Sequence, residues 1–463
     1  HQECRYRTRR RTTIKLMTLV RKFDCSRFRN QDGSVSGRGV NLNGLYARTP
    51  EPHRELAKME GESEPAAAAA VFSAVLDDDD LLGEILARVA FPTSFVRAAL
   101  VCKRWLRLAS APAFLRRFGD LHSPSLLGFY VVTRAHASAE KQSPQFVPVP
   151  QPPELAAVAR RASFNLDSLR GDWLRSEWFD LDCRNGLVHV FHGHGHPEVM
   201  VRSPLCPATY TAVLPPVPST SIHDGFTYYY HDILANGGGQ SYFCLALGSK
   251  EQQPVWDVYV LQGDTWAIYS SVVPEIQEIA LALNSLISHD KMYNLALVSG
   301  TFMLVLLDLP SSSLSLVSLP EEVEYKSTGM SLANDDSGVH LIHVKGSHLR
   351  IWLYDMTDKK GLADWLLVDT ICLREICVHQ MISTRMFDDV GDPSLMVREV
   401  GVDSGFLFLE ADGVLYLFDI KRKELKKVYE VTQEDRYLYG VTPFMMVWPP
   451  KFPVMKEGCD PKE

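Results

Sequence analysis

Histidines crowd one short stretch of this chain: His189, His192, His194 and His196. Imidazoles at that spacing are zinc-site material, and Cys183 lies near enough to join them across the Asn185-Gly186 turn. Zinc needs ligands that converge tetrahedrally. Gly193 and Gly195, set between the histidines, instead describe a solvated hairpin tip. Tyr228-Tyr229-Tyr230-His231 contains residue types that a copper-radical oxidase uses, but it reads more simply as an aromatic strand. Gly237-Gly238-Gly239 lacks both the flanking strand and helix and the lysine of a phosphate-cradling loop, and there is no nucleophile elbow or dinucleotide fingerprint. Cys372 and Cys377 fall in a strand-like stretch and are expected as buried thiols. The five basic residues between Lys421 and Lys427 sit at a hairpin turn and read as a solvated tip. We therefore expect no catalytic residue, no metal and no cofactor.

The elements that would carry these residues belong to ordinary globular protein. Of 463 residues, 46% are hydrophobic and 22% charged, enough for two or three domains. The nearest approach to a membrane span, Leu295 to Leu309, is interrupted by Ser299, Gly300 and Thr301 and reads as two strands, so no membrane is expected. Nine scattered cysteines without a Cys-x-x-Cys pair suit reduced thiols in the cytoplasm or nucleus better than a secreted disulfide scaffold. Charge is uneven: residues 1–58 carry +9 and the remainder −17. The basic stretch has no sustained period. Met59 opens an acidic, alanine-rich segment, so 1–58 is expected to be a disordered tail that is not native, with Met59 the natural start; a transit peptide or a nucleic-acid-binding arm are the functional alternatives. From residue 125 on the balance is −15, which opposes nucleic-acid binding.

Residues 77–118 form the best helical stretch. Asp77 to Asp80 suit a helix N-terminus, and Leu81, Leu82, Ile85, Leu86 and Val89 follow as one apolar stripe. Pro92 stops that helix, Thr93 or Ser94 can cap a second, and the helical pattern continues through Val101 to Leu106 until Pro112 breaks it. Three or four short helices in about forty residues bury little on their own. Leu81, Leu82, Ile85, Pro92, Val101 and Trp105 exceed what so small a module can hide, and the surplus marks an interface with Trp105 as its anchor.

The five prolines between Ser143 and Pro153 predict an extended linker, here taken as 119–153. Beyond it, Asn185-Gly186 is a hairpin turn. A unit of strand, polar turn and second strand then recurs about positions 262, 308, 355 and 419, at steps of 46, 47 and 64 residues. Such spacing is that of β-propeller blades, with an insertion expected around Met386 to Ser394 in the long step; a pair of β-sandwiches is the fallback. The expected fold class is thus α+β multidomain: a tail (1–76), an all-α module (77–118), a linker (119–153), an all-β propeller-like domain (154–450) and a second tail (451–463).

Leu81-Leu82-x-Glu84-Ile85-Leu86, Pro92-x-Ser94, Val101-Cys102-Lys103-x-Trp105 and Pro112-x-Phe114 closely resemble an F-box, although Asp77 to Asp80 replace the usual Leu-Pro opening. Asp182-Cys183-Arg184-Asn185-Gly186 and the strand-ending pairs Leu214-Pro215 and Leu319-Pro320 resemble, more weakly, the propeller-like domain of some plant F-box proteins. The resemblance implies a Skp-type adaptor bound through Leu81, Leu82, Ile85, Leu86, Pro92, Val101, Cys102 and Trp105, and through it a cullin–RING ubiquitin ligase, with the propeller recruiting a target protein. It also implies a non-catalytic receptor. The rival expectations are a propeller that binds a small molecule or glycan, a propeller enzyme coupled to an F-box, and a scaffold without any cullin.

Overall fold

A computed structural model describes residues 75–452 except 90, 137–142, 167–178, 193–197, 207–210, 217–225, 237–240, 251–252, 276–278, 282–284, 289, 324–328, 336, 356–363, 383–386, 388–394, 402–404, 433–435 and 451. The expected tail 1–58, Met59 and most of the expected insertion at 386–394 thus lie outside the described residues. The chain divides into two compact units, one of residues 1–122 with 452–463 and one of residues 123–451.

Among the described residues, the first unit includes four short helices after a helical stretch at 75–77: α1 (Asp79–Ala87), α2 (Pro92–Ala99), α3 (Lys103–Ser110) and α4 (Pro112–Leu121). Asp78 caps α1, its carboxylate accepting from the backbone N–H groups of Asp80 and Leu81 at 2.9 and 3.0 Å. Neither Thr93 nor Ser94 caps α2, which starts at Pro92 behind an extended Phe91. Proline is at home there because the first helical N–H has no partner to lose. Helix does not run on from Val101 to Leu106. Cys102 is fully extended and starts α3 afresh, and Pro112 opens α4 rather than closing a helix. Phe95, Phe114 and Phe118 stack at the centre, with ring centroids 4.2 to 6.0 Å apart, and Leu82, Leu86, Ala98, Ala99 and Ala109 close round them. Phe452, from the expected second tail, meets Phe95 edge-on at 5.6 Å.

Among the described residues, the second unit contains 24 strands in six sheets. Strand β1 (Leu126–Ala135) lies between β2 (Gln145–Pro148) and β24 (Arg436–Met445). The other five are simple antiparallel meanders. The second sheet comprises β3 (Phe179–Arg184), β4 (Leu187–His192), β5 (Glu198–Arg202) and β6 (Thr211–Val213); the third comprises β7 (Phe226–Asn236), β8 (Ser241–Lys250), β9 (Gln253–Gln262) and β10 (Thr265–Val272). In the fourth, β11 (Ile279–Leu281) and β12 (Leu286–Ser288) both pair with β13 (Lys291–Val298), followed by β14 (Thr301–Asp308) and β15 (Ser313–Ser318). The fifth holds β16 (Met330–Asp335), β17 (Gly338–Lys345), β18 (His348–Asp355) and β19 (Asp364–Cys372); the sixth holds β20 (Met396–Val400), β21 (Phe406–Ala411), β22 (Val414–Asp419) and β23 (Glu424–Glu430).

Each sheet packs on the next through its own apolar seam. Val199 and Val201 meet Cys244 and Ala246; Trp256 and Val258 meet Val305 and Leu307; Leu304 and Leu306 meet Leu341 and Trp352. Ile342 and Leu349 then meet Leu407 and Leu409, Phe408 and Leu415 meet Phe129 and Leu438, and Tyr130 and Phe444 return to Val188 and Val190. The circuit closes, so this is a six-bladed propeller and not a sandwich pair. Chain-end strands fasten it, β24 pairing with β1 from Met445–Leu126 to Arg436–Ala135.

The linker boundary is corrected accordingly. Residues 126–135 and 145–148 are propeller strands, and Pro153 is the first residue of helix α5 (Pro153–Arg161), which buries Leu155 in the seam of Tyr130 and Phe444. Prolines are tolerated because β2 is an outer edge strand, where a missing N–H breaks no ladder. Helix α6 (Leu373–His379) occupies part of the long step before position 419, so Cys377 is buried on a helix rather than in a strand. At the expected hairpin, Asn185 and Gly186 both have positive φ, 47° and 72°. A Cβ on Gly186 would strike Val447, and Asn185 Oδ1 accepts from the Trp448 backbone N–H at 2.9 Å.

Candidate functional site

Two places could act on another molecule: the helical unit's surface and the inner strands of the propeller.

In the helical unit, Arg104 ties α3 to the start of α1. Its guanidinium donates to the carbonyls of Leu76 and Asp77, both at 2.7 Å, and to Asp79 Oδ1 at 2.8 Å. Glu84 bonds Arg117 of α4 and pairs with Arg88 at 3.0 Å; the Arg117 hydrogen bond holds its carboxyl below the usual range. With the helices fixed, the eight residues expected to meet an adaptor fall into three groups. Leu82, Leu86 and Pro92 are buried in the unit's own interior. Ile85 and Trp105 are half-buried, and Leu81, Val101 and Cys102 are exposed. Leucines 82 and 86, one turn apart, face inward, while Leu81 is turned outward and 44% exposed. Outside those eight, Phe91 (44%) just before α2, Leu100 (54%) just after it and Leu121 (54%) at the end of α4 are also exposed; Leu100 was expected on the inner face of the second helix, and the structure turns it outward. All three sit at helix ends, where the chain leaves the packed face. Together with Leu81 and Val101 they leave apolar surface bare on a small unit.

In the propeller, Leu181 and Cys183 face the seam of Tyr130 and Phe444, so Asp180, Asp182 and Arg184 lie on the other face of β3. Asp182 pairs with Arg184 at 2.6 Å. Burial pushes the Asp182 carboxyl up, but Arg184, His189 and hydrogen bonds outweigh it and leave it lowered. Glu399 of β20 feels this group. Burial first, then the Asp182 charge, pushes its carboxyl up to about 8 against the pull of Arg184. His189 stands across the strand pair from Asp182, buried, with Nε2 3.2 Å from the Tyr242 hydroxyl, and burial lowers its basicity. It is a packed wall residue, not part of a solvated tip; His194 and His196 lie outside the described residues. Among the described residues no group of three or more His, Cys, Asp or Glu could hold a metal ion, and no helix is long and apolar enough to cross a membrane.

One cluster has the composition of a hydrolytic triad. His340 Nε2 lies 3.0 Å from both Asp335 Oδ1 and Ser337 Oγ, and the serine donates to that same Asp335 oxygen at 2.5 Å. A relay needs serine and carboxylate on opposite ring nitrogens. Here both address Nε2, so the three side chains fasten the β16–β17 turn.

Ring, seams and chain-end closure define a six-bladed propeller. Residues 181–452 match the model of the family described as F-box protein AT5G49610-like, beta-propeller, and the chain belongs to that family. No curated protein matches it. Similar solved structures include the periplasmic gluconolactonase PpgL of Pseudomonas aeruginosa, with 12% identity, TM-score 0.34, and coverage of 67% of this chain and 84% of that one. They also include the Cps50 (Swd1) beta-propeller domain of Myceliophteria thermophila (9%, TM-score 0.33, 55% and 73%) and the alpha-L-arabinanase of Penicillium chrysogenum (11%, TM-score 0.31, 54% and 79%).

Proposed function

We propose that this protein is the substrate-recruiting subunit of a Skp–cullin–F-box ubiquitin ligase, working in the cytoplasm or nucleus. One observation carries it: ahead of a propeller of an F-box protein family stands a four-helix unit with Leu81, Phe91, Leu100 and Val101 exposed. In this role the helical unit is the F-box and docks a Skp-type adaptor on those side chains and Cys102, with Trp105 and Ile85 behind them. The propeller holds a target protein. Ubiquitin transfer follows from proximity, since a target lysine held near the charged conjugating enzyme reacts as if intramolecularly. The chain itself supplies no reacting group, metal or cofactor.

The test is a binding titration of the whole chain against a purified Skp adaptor, with Val101→Asp and Leu81→Asp as variants. Both side chains are exposed, so the fold survives, whereas Leu82→Asp would unfold the unit and report nothing about docking. Saturable binding lost in both variants is the expected outcome. Absence of wild-type binding, or undiminished binding by both variants, would sink the assignment.

A further inference from the structure

The six outer strands share a position in their blades and differ in chemistry. An outer strand offers an unpaired row of backbone N–H and C=O groups, which proteins guard by brevity, proline, charge or bulges. Strand β2 is four residues long and ends in Pro148, β6 has three residues, and β15 alternates exposed serines with half-buried apolar residues. Strand β23 exposes Glu424, Lys426, Lys427 and Glu430. Strand β10 exposes Ile268 and Tyr269, but the tyrosine ring lies edge-on to Phe243 at 5.7 Å. Strand β19 carries Asp364 at its start and, farther along, a bulge at Val368 followed by Asp369, but between the two carboxylates it has neither charge nor proline. It is nine residues long, and Leu366, Leu367 and Val368 are exposed by 57, 41 and 53% in succession. Among the described residues no strand pairs with its free side.

We propose that β19 is a docking edge for a short extended segment of the target protein, apolar at alternate positions and basic at its flanks, which adds to the fifth blade as another strand. The proposal rests on the receptor role above and names the surface that would serve it. A bulge at Val368 splits the free edge into two short runs, which limits the guest's length. Charge selects against a second copy of this chain: residues 123–451 hold 25 Lys and Arg against 39 Asp and Glu, so two propellers repel and a basic guest is drawn in. Size does so too, because three apolar side chains from each copy fall far short of the roughly 1,200 Å² of a stable interface. Asp369 borders the patch and meets Lys423 only at 3.9 Å, a surface pair of little worth that a basic flank can replace.

The probe is a short synthetic peptide with valine at alternate positions, lysine at both ends and a benzophenone, photolysed with the whole chain. Cross-links should map to residues 364–372 and fall about tenfold in Leu366→Asp/Val368→Asp. Both side chains are exposed, so this variant should keep the wild-type melting temperature and adaptor affinity. Cross-links elsewhere, or undiminished in the variant, would overturn the docking edge. So would a wild-type dimer in sedimentation that the variant dissolves, since the occupant would then be a second copy. Adaptor binding intact without cross-links at β19 removes the edge alone; failure of the wild-type chain to bind adaptor removes the role on which it rests.

Discussion

The helical unit and the propeller bury their apolar residues by opposite plans. The helices share one small centre, Phe95 with Phe114 and Phe118, and leave Leu81, Phe91, Leu100 and Val101 in water. The propeller has six seams, each bounded by two sheets, so damage to one leaves the others intact. A single-centre unit should fail as a whole, and a seamed ring should fail locally.

Phe95→Ala and Phe408→Ala put this contrast to its hardest test. Both rings are fully buried, and each truncation costs about 3–5 kcal/mol. By hydrogen exchange, the first should release every amide of the four helices. The second should release only the sixth blade and its neighbours; equal, global release in both would erase the distinction. The next largest effect is expected at Glu399 of β20. Glu399 holds a proton in the folded state up to about pH 8 that the unfolded chain gives up near its ordinary 4.5. Stability therefore falls as pH rises through that window, and Glu399→Gln should flatten the slope, on the order of a few kcal/mol by pH 9. A chemical denaturation series from pH 4 to 9 in which wild type and variant run parallel would refute it.

Smaller effects separate the units at single hydrogen bonds. Asp78→Ala removes the α1 cap and should lower the helical unit's stability by about 1 kcal/mol, leaving propeller melting unchanged. Trp365→Phe is expected to be gentler still. Its indole N–H donates to the Ser318 carbonyl of the preceding blade at 2.8 Å, and about 1 kcal/mol or less should go, read in the amides of the fourth and fifth blades only.

Much of the propeller was legible because its signals are local. Asn185-Gly186 turned where expected, and Leu295 to Leu309 resolved into β13 and β14 about Ser299 and Gly300. The two expected Leu-Pro pairs mark where a neighbouring blade latches on: Trp266 donates to the Pro215 carbonyl at 3.0 Å, and Trp365 to the carbonyl of Ser318, just before Leu319-Pro320. Strands β1 and β2 were illegible. Prolines mask β2, and the partner that makes β1 a strand, β24, lies some three hundred residues away in sequence. In the helices, periodicity found the apolar stripe at 81–86 but not which side the unit itself would claim, so inward Leu82 and outward Leu81 looked alike. The edge strand β19 is the second strand of the recurring unit about position 355, but its exposure depends on sheet order, which no single strand reveals.

Joining the first strand to the last also sets a clock for synthesis. On the ribosome, the helices, five complete blades and two of the first blade's three strands emerge before Arg436 does, and until β24 arrives β1 has no inner neighbour. A chain stopped short of residue 436 would carry Phe129, Val131 and Leu127 on a bare strand, the kind of edge that recruits the wrong partner. For a protein whose proposed work is marking others for destruction, the last ten strand residues would decide whether the nascent chain escapes that fate itself.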